Sequence, residues 1–302
     1  MIGLLQEQGG AGPTGEDKKL IGLIGSGILK SLSPQVLEAE AAHHGLRLHY
    51  QLIDLDRSGL APQDALAVLP GLIDAVRLIG FDGLNITYPC KQAILPLLDE
   101  ISQEARAMGA VNVVTIRDGK LSGHNSDGPG WAAGFQRALP KGDLRDVVLM
   151  GCGGAGAAVA HAVLGMGAQS LSVFDRDATR AAQLAQALES RFGAGRAKVC
   201  EDLEACVSRA TGFIHATPVG MLKAPGMPIP AQWLRAQMWV ADVVYVPLQT
   251  ELLRAAAAKG CAVIDGGHMN VGQAVLGFGH FTGLAPNVER MDAHFRSIVG
   301  AF

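Results

Sequence analysis

Long apolar runs are missing from this chain. No stretch of about 18 or more apolar residues occurs although mean hydropathy is +0.24, so no bilayer-spanning helix is expected. An excess of charge of one sign is missing too. The 25 Lys and Arg against 28 Asp and Glu leave a net charge of −3, which gives no footprint for nucleic acid or an anionic membrane. Five cysteines (Cys90, Cys152, Cys200, Cys206, Cys261) are odd in number and show no CxxC spacing, which argues against a disulfide framework or a thiolate zinc site. They read as small buried hydrophobes in a reducing, cytoplasmic setting. The nine histidines lack HxxxH or HExxH spacing, so no metal site is expected. The Lys18–Lys19 pair follows a short apolar start, the reverse of a signal peptide, and residues 1–16 read as a flexible leader.

What the chain does have is length and alternation. Its 302 residues suit two α/β domains of ordinary size, each with its own core. Short strands rich in Val, Ile and Leu are predicted at 19–25, 48–56 and 83–87, with helices over 33–45 and 64–80. Ser33 reads as an N-cap, Pro34 as the first helical residue and Gly45 as the terminator. Two short helices over 91–109 and a hairpin around Asp118-Gly119 follow. Strand–helix alternation of this kind implies a mainly parallel sheet. A second series starts near Asp146, with strands at 146–150, 170–175, 198–200, 212–217, 239–244 and 262–265. That is the pattern of a doubly wound, Rossmann-type domain. We therefore expect a first domain over 17–128, a dinucleotide-binding domain over 129–266, and C-terminal helices (267–302) that return to the first domain.

Gly151-Cys152-Gly153-Gly154-Ala155-Gly156 follows a predicted strand and opens a predicted helix, the context that gives GxGxxG its meaning. Gly151 permits a tight turn, Gly153 lets the backbone approach a pyrophosphate, and Gly156 allows close helix–sheet contact. The free amides and positive end of the helix then hold phosphate. Asp175, at the end of the next strand, can accept both hydroxyls of the adenosine ribose and repel a 2′-phosphate. That favours NAD, with Asp177 reinforcing the bias, while Arg176 and Arg180 leave NADP possible. A purely structural alternative has Asp175 capping the following helix. Thr217, Pro218, Val219 and Met221 end another strand at the same sheet edge and are expected to line the nicotinamide. Val243, Gly266 and Met269 are counted with the cofactor residues.

Lys91 follows a strand that ends at the carboxyl edge of the first sheet. Alone, such a lysine is an ordinary surface charge. Asn85, Thr87, Asn112, Asn125 and Asp127 also fall at or just after predicted strand ends, and such a cluster suits a small polyhydroxylated ligand. A lysine held by a carboxylate can exchange the proton that balances a hydride, with no metal required.

These motifs together resemble the shikimate/quinate dehydrogenase family from about residue 20 to 295. The matching segments are GLIGSGILKSLSP (22–34), GLNITYPCK (83–91), GAVNVV (109–114), HNSDGPGW (124–131), GCGGAG (151–156), HATPVGM (215–221), DVVYVPLQTELL (242–253) and DGGHMNVGQA (265–274). The resemblance implies that Lys91 and Asp127 are the catalytic pair. It implies that Ser31 and Ser33, assisted by Tyr245, bind the substrate carboxylate. Thr87, Asn112, Asp127 and Gln273 would bind ring hydroxyls, with Asn85 supporting the wall. The implied reaction is reversible, NAD(P)-dependent oxidation of shikimate to 3-dehydroshikimate or of quinate to 3-dehydroquinate, in a cleft between a substrate-binding and a Rossmann domain. A monomer or homodimer acting on a small molecule is expected.

Departures from the family pattern are informative. Ser26-Gly27 replaces the usual Asn-Pro. Asp175-Arg176-Asp177 replaces the Asn-Arg-Thr of NADP users, which moves the chain toward the NAD-using branch. His215 replaces an asparagine, and His268 and Asn270 are atypical. Two alternatives stay open at this point: a relative acting on an aminoshikimate, and a catalytically silent dinucleotide-binding regulator. Retention of both Lys91 and Asp127 argues against the regulator.

Overall fold

The computed structural model describes residues 18–59, 64 and 66–300. The expected leader at 1–16 lies outside them. The first half runs β1 (Lys18–Gly25), α1 (Ser33–His43), β2 (Arg47–Asp54), α2 (Leu69–Ile79), β3 (Gly83–Ile86), α3 (Cys90–Ala93), β4 (Glu100–Ile101), α4 (Gln103–Met108), β5 (Val113–Arg117) and β6 (Lys120–His124). A linking helix, α5 (Asp127–Ala138), comes next. The second half runs β7 (Asp146–Met150), α6 (Gly154–Gly165), β8 (Ser170–Phe174), α7 (Ala178–Phe192), β9 (Ala197–Val199), α8 (Leu203–Arg209), β10 (Gly212–His215), β11 (Trp239–Asp242), α9 (Glu251–Ala258) and β12 (Ala262–Ile264). Two helices close the chain, α10 (Gly266–Thr282) and α11 (Val288–Val299).

The second sheet is the regular one. Its order is β12-β11-β10-β7-β8-β9 and every pairing is parallel. Alternation explains why its strands read as unbroken apolar runs. Val147, Leu149 and Ile214 face α5, α6 and α7, while Val148, Phe213 and Val240 face α8 and α9. The chain reverses strand order beside β7, the place where open α/β sheets receive ligands.

The first sheet, β2-β1-β3-β5-β6-β4, is mixed rather than simply parallel. β3 and β5 run antiparallel, as do β5 and β6, because the latter pair is a hairpin. Its two-residue turn places Asp118 at φ 50° and Gly119 at φ 76°, the left-handed geometry that such turns require. β4 was not expected from sequence; two residues carry too little periodicity to read. The helix expected over 64–80 is shorter, α2 beginning at Leu69 with Pro70 in its first turn. Ser33 is the first residue of α1 and its side chain caps nothing, contrary to expectation.

The C-terminal helices pack on the first sheet. Phe278, Phe281, Met291 and Phe295 pack with Ile21, Leu23, Val36 and Leu37. Glu40 on α1 is held by the Arg290 guanidinium at 2.8 and 2.6 Å, which fastens α11 to α1. Met269 and Trp131 belong instead to the core of the second sheet, so α10 and α5 run along both halves.

Buried histidines give the fold a pH dependence. Burial pushes His280, stacked on His124 with ring centroids 4.2 Å apart, down to about 4. His161 is likewise pushed down to about 4, by burial and then by Arg191. Both are neutral in the fold, whereas the unfolded chain takes up protons below about 6.5. Their stabilising contribution is therefore complete above pH about 6.5 and is lost as pH falls toward about 4. Thermal unfolding midpoints should decline across that window, and His280→Leu should make the decline shallower. An equally steep decline in that variant would remove His280 from the cause.

Candidate active site

Residues far apart in sequence converge where the carboxyl ends of β1, β3 and β6 meet α5. β3 ends at Ile86, and a Tyr88–Pro89 turn with a cis peptide leads into the short helix α3. Cys90 is fully buried in the apolar core, which rotates the next residue, Lys91, out toward α5. The Lys91 carbonyl accepts Val111 N at 2.9 Å, fixing that turn on the segment that leads into β5.

Lys91 Nζ donates to Asp127 Oδ2. Asp127 is the first residue of α5, where the helix dipole favours a carboxylate, and it is 3% exposed. Asn112 Nδ2 donates to Asp127 Oδ1 at 2.8 Å and to Ser126 Oγ at 3.0 Å. Asn125 Oδ1 accepts Asp127 N at 3.0 Å. Each carboxylate oxygen thus has a donor, and Lys91 is the partly exposed member of its pair.

The network continues away from Asp127. Asn85 Nδ2 donates to Asn112 O at 3.2 Å, and Tyr50 Oη donates to Asn85 Oδ1 at 2.7 Å. Burial raises the Tyr50 phenol well above its usual range, the adjacent Ser33 hydroxyl partly offsetting this, so it stays a neutral donor. Ser31 Oγ, in the loop before α1, donates to Ser33 Oγ on the first residue of that helix at 3.2 Å. That loop is tied down by Asp54, whose carboxylate accepts Gly27 N at 3.0 Å and Ile28 N at 3.1 Å. Ser31, Ser33, Asn85, Asn112, Asp127 and Lys91 therefore lie along one polar wall. Thr87 is attached to its rim, Thr87 N donating to Ile24 O at 2.9 Å.

Tyr50 and Ser126 were not singled out from sequence as site residues. Ser126 sits inside a recognised motif, whereas Tyr50 lies in an ordinary alternating strand and carries no local signal. Tyr245 is brought to the apolar core beside Phe295, ring centroids 6.0 Å apart, and burial raises its phenol. Gln273 sits on α10 beside a tight helix crossing. A Cβ on Gly272 would lie 2.1 Å from Gly130 O, so α10 and α5 touch backbone to backbone. One turn on, a Cβ at Gly277 would stand 3.9 Å from Asn85 Nδ2, which puts the Gln273 face of α10 toward Asn85.

The glycine turn lies across the same helix. A Cβ on Gly128, next to Asp127, would come 3.0 Å from Ala158 O in α6. Gly151 has φ 106°, and a Cβ on Gly156 would lie 1.9 Å from Gly151 O, so neither position tolerates a side chain. Gly153 and Gly154 are the opposite case: added Cβ atoms would meet nothing within 4 Å. α6 starts at Gly154 with no side chain capping its first amides, and Ala155 is half-buried beside them. Free amides over open space fit a dinucleotide pyrophosphate. Cys152 within this turn is chemically quiet, burial and then Asp175 pushing its thiol up to about 12.

Asp175 closes the cradle from β8. Its Oδ2 accepts Cys152 N at 2.7 Å and its Oδ1 accepts Asp177 N at 2.9 Å. Each oxygen keeps a lone pair for a further donor. Helix α7 is capped by Asp177, not Asp175, and Arg180 is paired with Asp177 at 3.3 Å. Arg176 is exposed beside them. Thr217, Pro218, Val219 and Met221 follow β10 at the same sheet edge. Gly266 opens α10 directly against Val243, where an added Cβ would lie 2.4 Å from Val243 O. Met269 lies one turn further on and is buried.

Residues 23–114 match the family model described as the shikimate dehydrogenase substrate binding domain. The chain is 51% identical over 287 residues to a shikimate dehydrogenase (NADP(+)) of Streptomyces avermitilis, covering 94% of this chain and 97% of that protein. It is 44% identical over 285 residues to a quinate/shikimate dehydrogenase (NAD(+)) of Corynebacterium efficiens, covering 93% and 99%. Among solved structures, quinate dehydrogenase from Corynebacterium glutamicum in complex with NAD superposes with TM-score 0.88 at 42% identity, covering 93% of this chain and 99% of that one.

Proposed function

Because the chain belongs to the shikimate/quinate dehydrogenase family and is an NAD(P)-dependent oxidoreductase, we propose that Lys91 and Asp127 are its acid/base pair and that NAD is its preferred cofactor. The observation that carries the first reading is the Lys91–Asp127–Asn112 chain of hydrogen bonds on the polar wall. When bound, the nicotinamide supplies or accepts the hydride. Lys91 Nζ exchanges the proton of the reacting hydroxyl, so that the alcohol loses a hydride and a proton as the ketone forms. Asp127, itself held by Asn112 and its helix terminus, orients the ammonium and balances its charge. Ser31 and Ser33 are suited to a substrate carboxylate, with Tyr245 assisting. Thr87, Asn112 and Gln273 are suited to ring hydroxyls, with Asn85 behind them. A ring acid with several hydroxyls, shikimate or quinate, matches these donors and acceptors.

The cradle residues Gly151, Gly153, Gly154, Ala155 and Gly156 would hold the pyrophosphate, and Thr217, Pro218, Val219, Met221, Val243, Gly266 and Met269 the nicotinamide side. NAD over NADP rests on Asp175, whose oxygens are already fixed by two backbone amides and present negative charge where a 2′-phosphate would sit. Asp177, paired with Arg180 at 3.3 Å, adds a second carboxylate beside it. Absorbance of the reduced nicotinamide, followed with shikimate and quinate against each cofactor in turn, tests the whole reading. Oxidation of at least one acid with reduction of NAD is expected, and no turnover with either would overturn it. Asp175→Ala should raise kcat/KM for NADP relative to NAD, and an unchanged ratio would count against the carboxylate.

A further inference from the structure

Behind the nicotinamide side of the cradle lies a buried histidine–carboxylate pair. His215 ends β10 and Asp242 ends β11, directly opposed in register, at 0% and 2% exposure. His215 Nδ1 is 3.0 Å from Asp242 Oδ1. The carboxylate also accepts Val244 N at 3.0 Å and the Thr250 hydroxyl at 2.8 Å. An ionised carboxylate only accepts, so Nδ1 carries the hydrogen. The other ring nitrogen, Nε2, is 2.5 Å from Thr217 Oγ1, which in turn accepts Val219 N at 3.3 Å.

Such a pair is an expensive way to fill the end of a parallel strand, where an apolar side chain would serve as well. What it does is determine a direction. It fixes the Thr217 hydroxyl, and Thr217 begins the turn that leans on the cradle: Ala216 O and Thr217 Cγ2 stand 2.6 and 2.9 Å from where a Cβ on Gly151 would be. Gly220, at φ 94°, closes the same turn by donating its amide to Ala224 O at 2.7 Å. The bonded side of the turn is thus Asp242–His215–Thr217.

We infer that His215 is a positioning residue: through the Thr217 hydroxyl it holds the 217–220 turn in the shape that receives the nicotinamide end of the dinucleotide. This rests on the dinucleotide reading above. Asparagine at 215 places an amide near Nδ1, keeps Asp242 satisfied and ends short of Thr217. Thr217→Val removes the hydroxyl and leaves the buried pair intact.

NADH and ADP-ribose, which lacks the nicotinamide, separate this role from a structural one. Both His215→Asn and Thr217→Val should weaken NADH binding about tenfold, the value of one lost hydrogen bond to a fixed loop, and leave ADP-ribose binding unchanged. The double variant should bind NADH no more weakly than His215→Asn alone, since both cut one bond. Thr217→Ser should restore affinity. Parallel loss of both ligands, no loss of either, or additive effects would overturn the inference. Wild-type protein that binds neither ligand would overturn the dinucleotide reading itself, and this one with it.

Discussion

Replacing Lys91 by alanine should lower kcat by about 10²–10⁴-fold while dinucleotide affinity stays as in the wild type. The two effects separate because Lys91 is attached to the first sheet and the glycine cradle to the second. Deleting the ammonium leaves Asp127 without its lysine partner, yet Asn112 still holds Oδ1 and the first turn of α5 still favours the charge. The variant should therefore fold. Its loss should appear in kcat with either acid substrate, since the proton exchange is common to both. Steady-state rates and a direct NADH titration on the same preparation make the comparison. A variant that turns over at the wild-type rate would remove Lys91 from the chemistry.

Gly272→Ala should destabilise the protein by roughly 1–3 kcal/mol and reduce kcat/KM as well. The new methyl group would lie 2.1 Å from Gly130 O and 2.7 Å from Gly130 C, both backbone atoms of a facing helix. No side chain can rotate away, so α10 and α5 must move apart. That displacement shifts Gln273 on one helix relative to Asp127 on the other. Gly279→Ala supplies the control in the same helix, because its Cβ would meet only Leu284 O at 3.8 Å. It should be neutral or stabilising, as helix propensity favours alanine by about 1 kcal/mol. Urea unfolding of the two variants, with kcat/KM measured on each, decides. Equal behaviour of the pair would refute the steric account.

Sequence by itself determined the alternation of elements and the chemistry of the ends. Strands buried on both faces read as unbroken Val, Ile and Leu runs, and β7 with its glycine turn is legible because pattern and backbone requirement fall in one short segment. Lys91, Asn112 and Asp127 are legible for the same reason, each belonging to a motif at a strand end. Tertiary structure decided what is shared between distant segments. Tyr50 joins the polar wall only because β2 lies beside β1 and so near β3, a pairing that no local pattern announces. Asp177 rather than Asp175 caps α7, since a carboxylate's choice among nearby amides depends on how the chain turns. The helix crossing at Gly130 and Gly272, and the partnership of His215 with Asp242, are contacts across 142 and 27 positions of chain. Local propensity acts over a turn or a strand, and such contacts exist only once the sheets and helices have packed.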